Sequence, residues 1–253
     1  MIMMSMYFPA IKELGKLETL FENEKGAYRW ALVNKDSHVN YYKSLDREAL
    51  IACLKSPCMV NIEQKQYTLD VKDMIYVPRG ANATIYSVSD EPSLIIIGEG
   101  LATNKYPVYV KKFEEAEGFT SGYEGYRRNI FNMVDERDPS DSLLAGYTEG
   151  WSGEWTSYPP HKHDDKMEVY VYYGLEGRYG IQIIETEESF VAHRVKDFDA
   201  VVILKGYHPN VPLPKTRICY LWILTQLYGK RSLGVEVHPD FKDVPMGKTH
   251  LKK

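Results

Sequence analysis

The sequence predicts an all-β protein, and three observations predict it. Short β-branched or aromatic runs recur along the chain, stretches of helical period are scarce, and Gly, Pro, Asn and Asp punctuate the gaps. The runs fall at residues 27–33, 59–62, 74–77, 84–88, 94–97, 168–173, 181–184, 200–204 and 218–224. Twenty tyrosines, a strand-favouring type, push the same way. Many short strands at close spacing point to a sandwich or barrel. Two segments, 8–23 and 46–54, carry enough helical period to be expected as short peripheral helices.

With 253 residues the chain holds one large domain or two small ones. An internal echo favours two. Asp73-Met74-Ile75-Tyr76-Val77-Pro78-Arg79-Gly80 returns 126 positions later as Asp199-Ala200-Val201-Val202-Ile203-Leu204-Lys205-Gly206: an acidic turn, a buried strand, then a basic residue and glycine. The charged, Gly-rich stretch 111–125 lies between the copies. The expected division is therefore 1–115 and 116–253, two tandem barrels joined by a linker.

Composition narrows the function classes. The longest uncharged apolar run, 218–224, is far shorter than the ~20 residues a membrane helix needs. The first residues lack the basic and apolar regions of a secretory signal, which favours the cytoplasm. Cys53, Cys58 and Cys219 are odd in number and at no framework spacing, the pattern of free thiols in a reducing compartment. A net charge of −4, with no stripe of basic and aromatic residues, gives no footprint of a nucleic-acid binder.

Three of the seven histidines form a pattern with one carboxylate. On an extended segment, His161-Lys162-His163 puts both imidazoles on one face and sends Lys162 to the other. After a turn at 164–166 the next strand opens with Glu168, which can face the same interior. His208 follows Gly206, where a tight bend can aim a ring inward. Three neutral imidazoles and a carboxylate suit one divalent ion, Zn, Mn, Fe, Ni or Co, with positions left open for substrate. Such a centre can polarise a carbonyl or hold two vicinal sugar oxygens. His38, His193, His238 and His250 have no comparable partners and read as structural or surface residues.

The order His-x-His, Glu168, Gly174 and a distant Gly-x-His resembles the paired motifs of the cupin superfamily, and the echo then reads as a bicupin. More narrowly, Trp151-Ser152-Gly153-Glu154-Trp155-Thr156-Ser157-Tyr158-Pro159-Pro160-His161-Lys162-His163-Asp164, with Gly206-Tyr207-His208-Pro209, resembles the 5-deoxy-glucuronate isomerase family of inositol catabolism. The resemblance spans residues 128–225 and is only general over the first 115. Departures at Leu204 and at 177–182 bear on the substrate more than on the metal. At Arg79-Gly80-Ala81-Asn82 the first copy has no counterpart of His208, so no second metal is expected there.

The resemblance implies an aldose–ketose isomerisation of an open-chain uronate, in which an aldehyde becomes a ketone as its neighbouring carbon loses a proton. Glu168 and a metal-bound hydroxide are equal candidates for the base. Tyr170 and Tyr172 share the strand parity of Glu168 and are expected to line the same cavity as catalytic or core residues. Gln182 is a candidate polar contact. The substrate is an anion, and Arg128, Arg178 and Lys205 are candidates to meet its carboxylate; Lys162 is not, because alternation puts it outside. A homo-oligomer is left open. The competing readings are the 4-deoxy-5-keto-uronate isomerase of pectin breakdown, a cupin dioxygenase or decarboxylase, and a non-catalytic sugar-acid-binding cupin.

Overall fold

The computed structural model describes residues 4–41 and 45–248. Its two large sheets are antiparallel throughout. One is six-stranded, ordered Tyr109–Lys111, Met74–Val77, Arg47–Leu54, Ser93–Leu101, Gly26–Val33, Leu17–Glu22. The other is seven-stranded, ordered Ser5–Phe8, Ala200–Ile203, Lys166–Tyr173, Cys219–Gln226, Leu143–Gly150, Arg128–Val134, Gly118–Ser121. A four-stranded sheet (His38–Tyr41, Ala83–Tyr86, Cys58–Ile62, Lys65–Leu69) covers the first, and a three-stranded one (Ser189–Val195, Gly180–Thr186, Asn210–Pro212) covers the second. Among the described residues the helical content is two single 3-10 turns, Phe113–Glu115 and Pro239–Phe241. No helix among them is long and apolar enough to cross a membrane.

Three cores follow from the period-two alternation of side chains on these strands. Ala31, Ile51, Ile75 and Ile95 point inward to meet Val39, Val60 and Ile85 of the four-stranded sheet. Tyr170, Val201, Tyr220 and Trp222 meet Ile184 and Val195 of the three-stranded sheet. The residues between them, Leu50, Ala52, Tyr76, Ile96, Val169, Val202 and Ile223 among others, fill a third core where the two large sheets lie back to back. Gly98 fits this interface because a Cβ there would come 2.5 Å from Ile223 Cγ2.

Neither segment expected as a helix is one: 46–54 forms a strand and 8–23 carries the strand Leu17–Glu22. All eight residues of Arg47–Leu54 are buried, with Ala49, Ile51 and Cys53 in one core and Leu50, Ala52 and Leu54 in another. A strand buried on both faces reads as an unbroken apolar run, and its period cannot be told from that of a buried helix. In segment 8–23 the strand Leu17–Glu22 carries a register shift between Thr19 and Phe21, which breaks its alternation.

The internal echo has a shared hydrogen-bonding origin. Met74–Val77 and Ala200–Ile203 hold the same place in their sheets, second from an edge. The residue before each aspartate, Lys72 or Phe198, has positive φ. Asp73 accepts from Asp70 N at 2.9 Å and Asp199 from Lys196 N at 2.8 Å, each closing its own turn. The other carboxylate oxygen holds the adjoining segment, Asp73 through Phe113 N and Asp199 through Ala10 N, both at 2.9 Å. Tyr7 adds a hydroxyl donor to Asp199 at 2.8 Å. Asp199→Ala is expected to leave three donors unpaired and to cost about 2–4 kcal/mol. The check is urea unfolding combined with hydrogen exchange, which should show Ser5–Phe8 losing protection first.

A second buried carboxylate ties the halves together. Glu48, fully buried on Arg47–Leu54, accepts from the Tyr76 hydroxyl (2.8 Å), Ser140 Oγ (2.6 Å), Asp141 N (3.1 Å) and Ser142 N (2.8 Å). The last three belong to the turn that leads into Leu143–Gly150 of the seven-stranded sheet.

Candidate metal centre

The site lies in the core between the seven- and three-stranded sheets. His161–Lys162 is a two-residue strand paired with Glu236–Val237, and a turn after His163 feeds Lys166–Tyr173, whose third residue is Glu168. Alternation acts as expected: Lys162 turns outward to Asp164 at 2.6 Å, and both histidines face in. Gly206, at φ +99°, bends the chain where a Cβ would come 2.7 Å from Glu185 O, and this bend carries His208 inward.

Three donor groups converge: one atom each from His163, Glu168 and His208 lie within 4.8 Å of one another, all on buried residues. His163 Nε2 is 3.0 Å from Glu168 Oε2 and His208 Nε2 is 3.4 Å from it. The His161 ring stands beside them, its centroid 5.1 Å from that of His208, but it falls outside the tight group.

The hydrogen bonds set the tautomers. His161 Nδ1 is 2.9 Å from Pro159 O and His208 Nδ1 is 2.9 Å from Gly206 O. A carbonyl only accepts, so each Nδ1 carries the hydrogen and each Nε2 presents a lone pair. Burial, followed by the neighbouring imidazole, holds His208 down to about 4 and His161 well below its ordinary value. Both rings are therefore neutral at pH 7, the form that ligates metal. His208 Nε2 is buried with no hydrogen-bond partner: with the hydrogen on Nδ1 it is an acceptor facing another acceptor, Glu168 Oε2, 3.4 Å away. An orphaned lone pair beside a carboxylate and a second imidazole fits a divalent cation, and the two backbone-anchored Nδ1 atoms supply the orientation such ligands need.

A cavity of roughly 150 Å³ opens from this cluster. Tyr170, Tyr220 and Trp222 form its aromatic wall, with the rings of Tyr170 and Tyr220 4.2 Å apart. Burial pushes the Tyr170 phenol well above its ordinary value, so it keeps its proton and can donate. Arg128, only 5 % exposed, also lines the cavity. Leu233, Val235, Met246 and Lys248 of the C-terminal segment complete the lining.

The sequence profile of the KduI/IolB family matches residues 30–244. The chain belongs to the KduI/IolB family. Among its relatives, a 5-deoxy-glucuronate isomerase from Geobacillus thermodenitrificans is 27% identical over 203 residues, covering 72% of this chain and 73% of that protein. A 4-deoxy-L-threo-5-hexosulose-uronate ketol-isomerase from Enterococcus faecalis is 24% identical, covering 76% and 72%. The crystal structure of an IolB-like protein from Salmonella typhimurium superposes with a TM-score of 0.82 at 16% identity, covering 95% of this chain and 98% of that one. The all-β, cupin-type architecture expected from the sequence is the one found.

Within this KduI/IolB chain several expected contacts lie elsewhere. Gln182 is fully buried and outside the cavity lining. Its amide donates to His208 O and Pro209 O, and its carbonyl accepts from the Tyr172 hydroxyl at 2.7 Å and from Asn210 Nδ2. Tyr172 is thereby committed to that network and also lies outside the cavity lining. Arg178 is exposed and bonds Lys215 O and Thr216 Oγ1, and Lys205 borders a separate surface groove beside Glu187 and Glu188. Neither reaches the cavity, because each sits in a loop at the outer edge of the sheets. His193 bonds Ser5 Oγ at 2.9 Å, His238 packs on Tyr207, and His38 is exposed; His250 lies outside the described residues.

Strand parity could have supplied Tyr220 and Trp222, since Tyr172 opposes Tyr220, Tyr170 opposes Trp222 and Glu168 opposes Leu224. No local signal ties residues 246 and 248 to the site.

Proposed function

We propose that the protein is an aldose–ketose isomerase of open-chain uronates that uses one divalent metal ion, with 5-deoxy-glucuronate as its substrate. The observation that carries this reading is the convergence of His163, Glu168 and the orphaned His208 Nε2 in one cavity. Membership of a family whose relatives are named uronate isomerases supports it.

His163, Glu168 and His208 would hold the ion, with the adjacent His161 Nε2 as a fourth donor. When bound, the ion supplies Lewis-acid stabilisation of negative charge on the two reacting substrate oxygens. The chain's own residues do the rest. Tyr170 keeps its proton and donates a hydrogen bond to a substrate oxygen. Glu168, the carboxylate of the cavity lining, moves the proton between the adjacent carbons. Tyr172 and Gln182 position His208 through its carbonyl, and the aromatic wall of Tyr170, Tyr220 and Trp222 excludes water.

The test is incubation of the purified protein, with its metal content measured, with 5-deoxy-glucuronate and with the 4-deoxy-5-keto-uronate, followed by proton NMR. Conversion of the first to its 5-keto isomer is the expected result. Conversion of the second alone assigns the pectin-side activity instead. Oxygen uptake would place it among oxygenases, and tight binding without product among sensors.

A further inference from the structure

Two arginines are buried among the described residues, and only one has a carboxylate beside it. Arg47 donates to Glu22 Oε1 at 2.9 Å and Glu99 Oε2 at 3.2 Å. Arg128, at 5 % exposure, forms no ion pair among the described residues, and its Nη1 donates only to the backbone carbonyl of Tyr126 at 3.2 Å. Its sequence neighbour Arg127 is clasped by Glu154, with Nε 2.8 Å from Oε1. A guanidinium cannot shed its charge, and an unpaired buried charge is costly.

The setting of Arg128 is built rather than incidental. The turn before its strand folds over it at Gly122, where φ is +83°; a Cβ there would collide with Tyr126 O and come 2.8 Å from Arg128 Nη1. Its side chain lines the same cavity as His163, Glu168 and His208. Arg128 opposes Gly150 at one end of Leu143–Gly150, while the register runs from Leu144, at the other end, through Leu224 to Glu168. Cation and donor cluster therefore sit at separate ends of one small cavity, with Tyr170, Tyr220 and Trp222 between them.

We propose that Arg128 binds the substrate carboxylate and so fixes which end of an open-chain uronate faces the His163–Glu168–His208 cluster. This rests on the functional reading above and deepens it: the arginine makes the site specific for sugar acids over neutral sugars. The planar fork matches a carboxylate bidentately, which a lysine cannot reproduce.

The test is calorimetry with two ligands that cannot isomerise. One is the acid obtained by reducing the aldehyde of 5-deoxy-glucuronate to an alcohol; the other is the same molecule with its carboxylate replaced by hydroxymethyl. The wild type is expected to prefer the acid by at least ~10²-fold, Arg128→Gln to bind both alike, and Arg128→Lys to lie between. The melting temperature of Arg128→Gln should equal or exceed that of the wild type, since an unpaired buried charge has been removed. Undiminished preference for the acid in Arg128→Gln overturns the assignment, as does equal weakening of both ligands with a lowered melting temperature. If the wild type isomerises no uronate, the functional reading fails on its own, and the two-ligand comparison still decides the role of Arg128.

Discussion

Replacing His208 by alanine is expected, on the proposed function, to abolish binding of a divalent ion and to lower kcat/KM by at least ~10³-fold while leaving the fold intact. The size follows from the several kcal/mol that Lewis-acid stabilisation contributes, at 1.36 kcal/mol per factor of ten. His208 is the sharpest place to test this because its Nε2 has no partner within the protein, whereas His163 and Glu168 also bond each other. The fold should survive because the strands that set the cavity pair through their own backbones, and the ring's single hydrogen bond to Gly206 O stays within two residues. Metal analysis, NMR turnover and thermal melting on one preparation check the three parts. A metal-free His208→Ala protein with full activity would overturn the functional proposal.

The largest effect on stability is expected at Glu48. Its carboxylate is fully buried and accepts four hydrogen bonds shorter than 3.2 Å, three of them from the turn at 140–142. Glu48→Ala strands those donors where little water reaches, and about 3–5 kcal/mol should be lost. Glu48→Gln keeps the shape but turns an amide donor toward N–H and O–H donors, so most of the loss should remain. Urea unfolding gives the answer as a lowered midpoint at unchanged slope. A change under ~1 kcal/mol would mean that the turn finds other acceptors.

What could be read in the sequence was whatever depends on local periodicity. His161, Lys162 and His163 alternate on an extended segment, so their two faces were predictable from spacing alone. Glu168 lies near the start of the next strand and Gly206 bends the chain before His208, and both signals lie within a few residues of the groups they aim. Residues 46–54 were misread because their strand is buried on both sides, against a second sheet that no local pattern reveals. The choice among Arg128, Arg178 and Lys205 was illegible for a related reason. All three are basic residues near strand ends, and only the fold over Gly122 buries the first while leaving the other two outside. Gln182 has the composition of a contact residue, but Asn210 meets it across a strand pairing, His208 lies in the loop before that strand, and Tyr172 reaches it from the facing seven-stranded sheet.

The strand Ser5–Phe8 pairs with Ala200–Ile203, and the Tyr7 hydroxyl reaches an aspartate 192 positions downstream. During synthesis at ~5–20 residues per second, this strand waits about 10–40 s for its neighbour to emerge from the ribosome. The six-stranded sheet, built from residues 17–111, can assemble during that interval. The seven-stranded sheet cannot, and the cavity inside it also needs Met246 and Lys248. Order of manufacture thus makes this cavity close later than the six-stranded sheet, because it needs strands and segments made after residue 111.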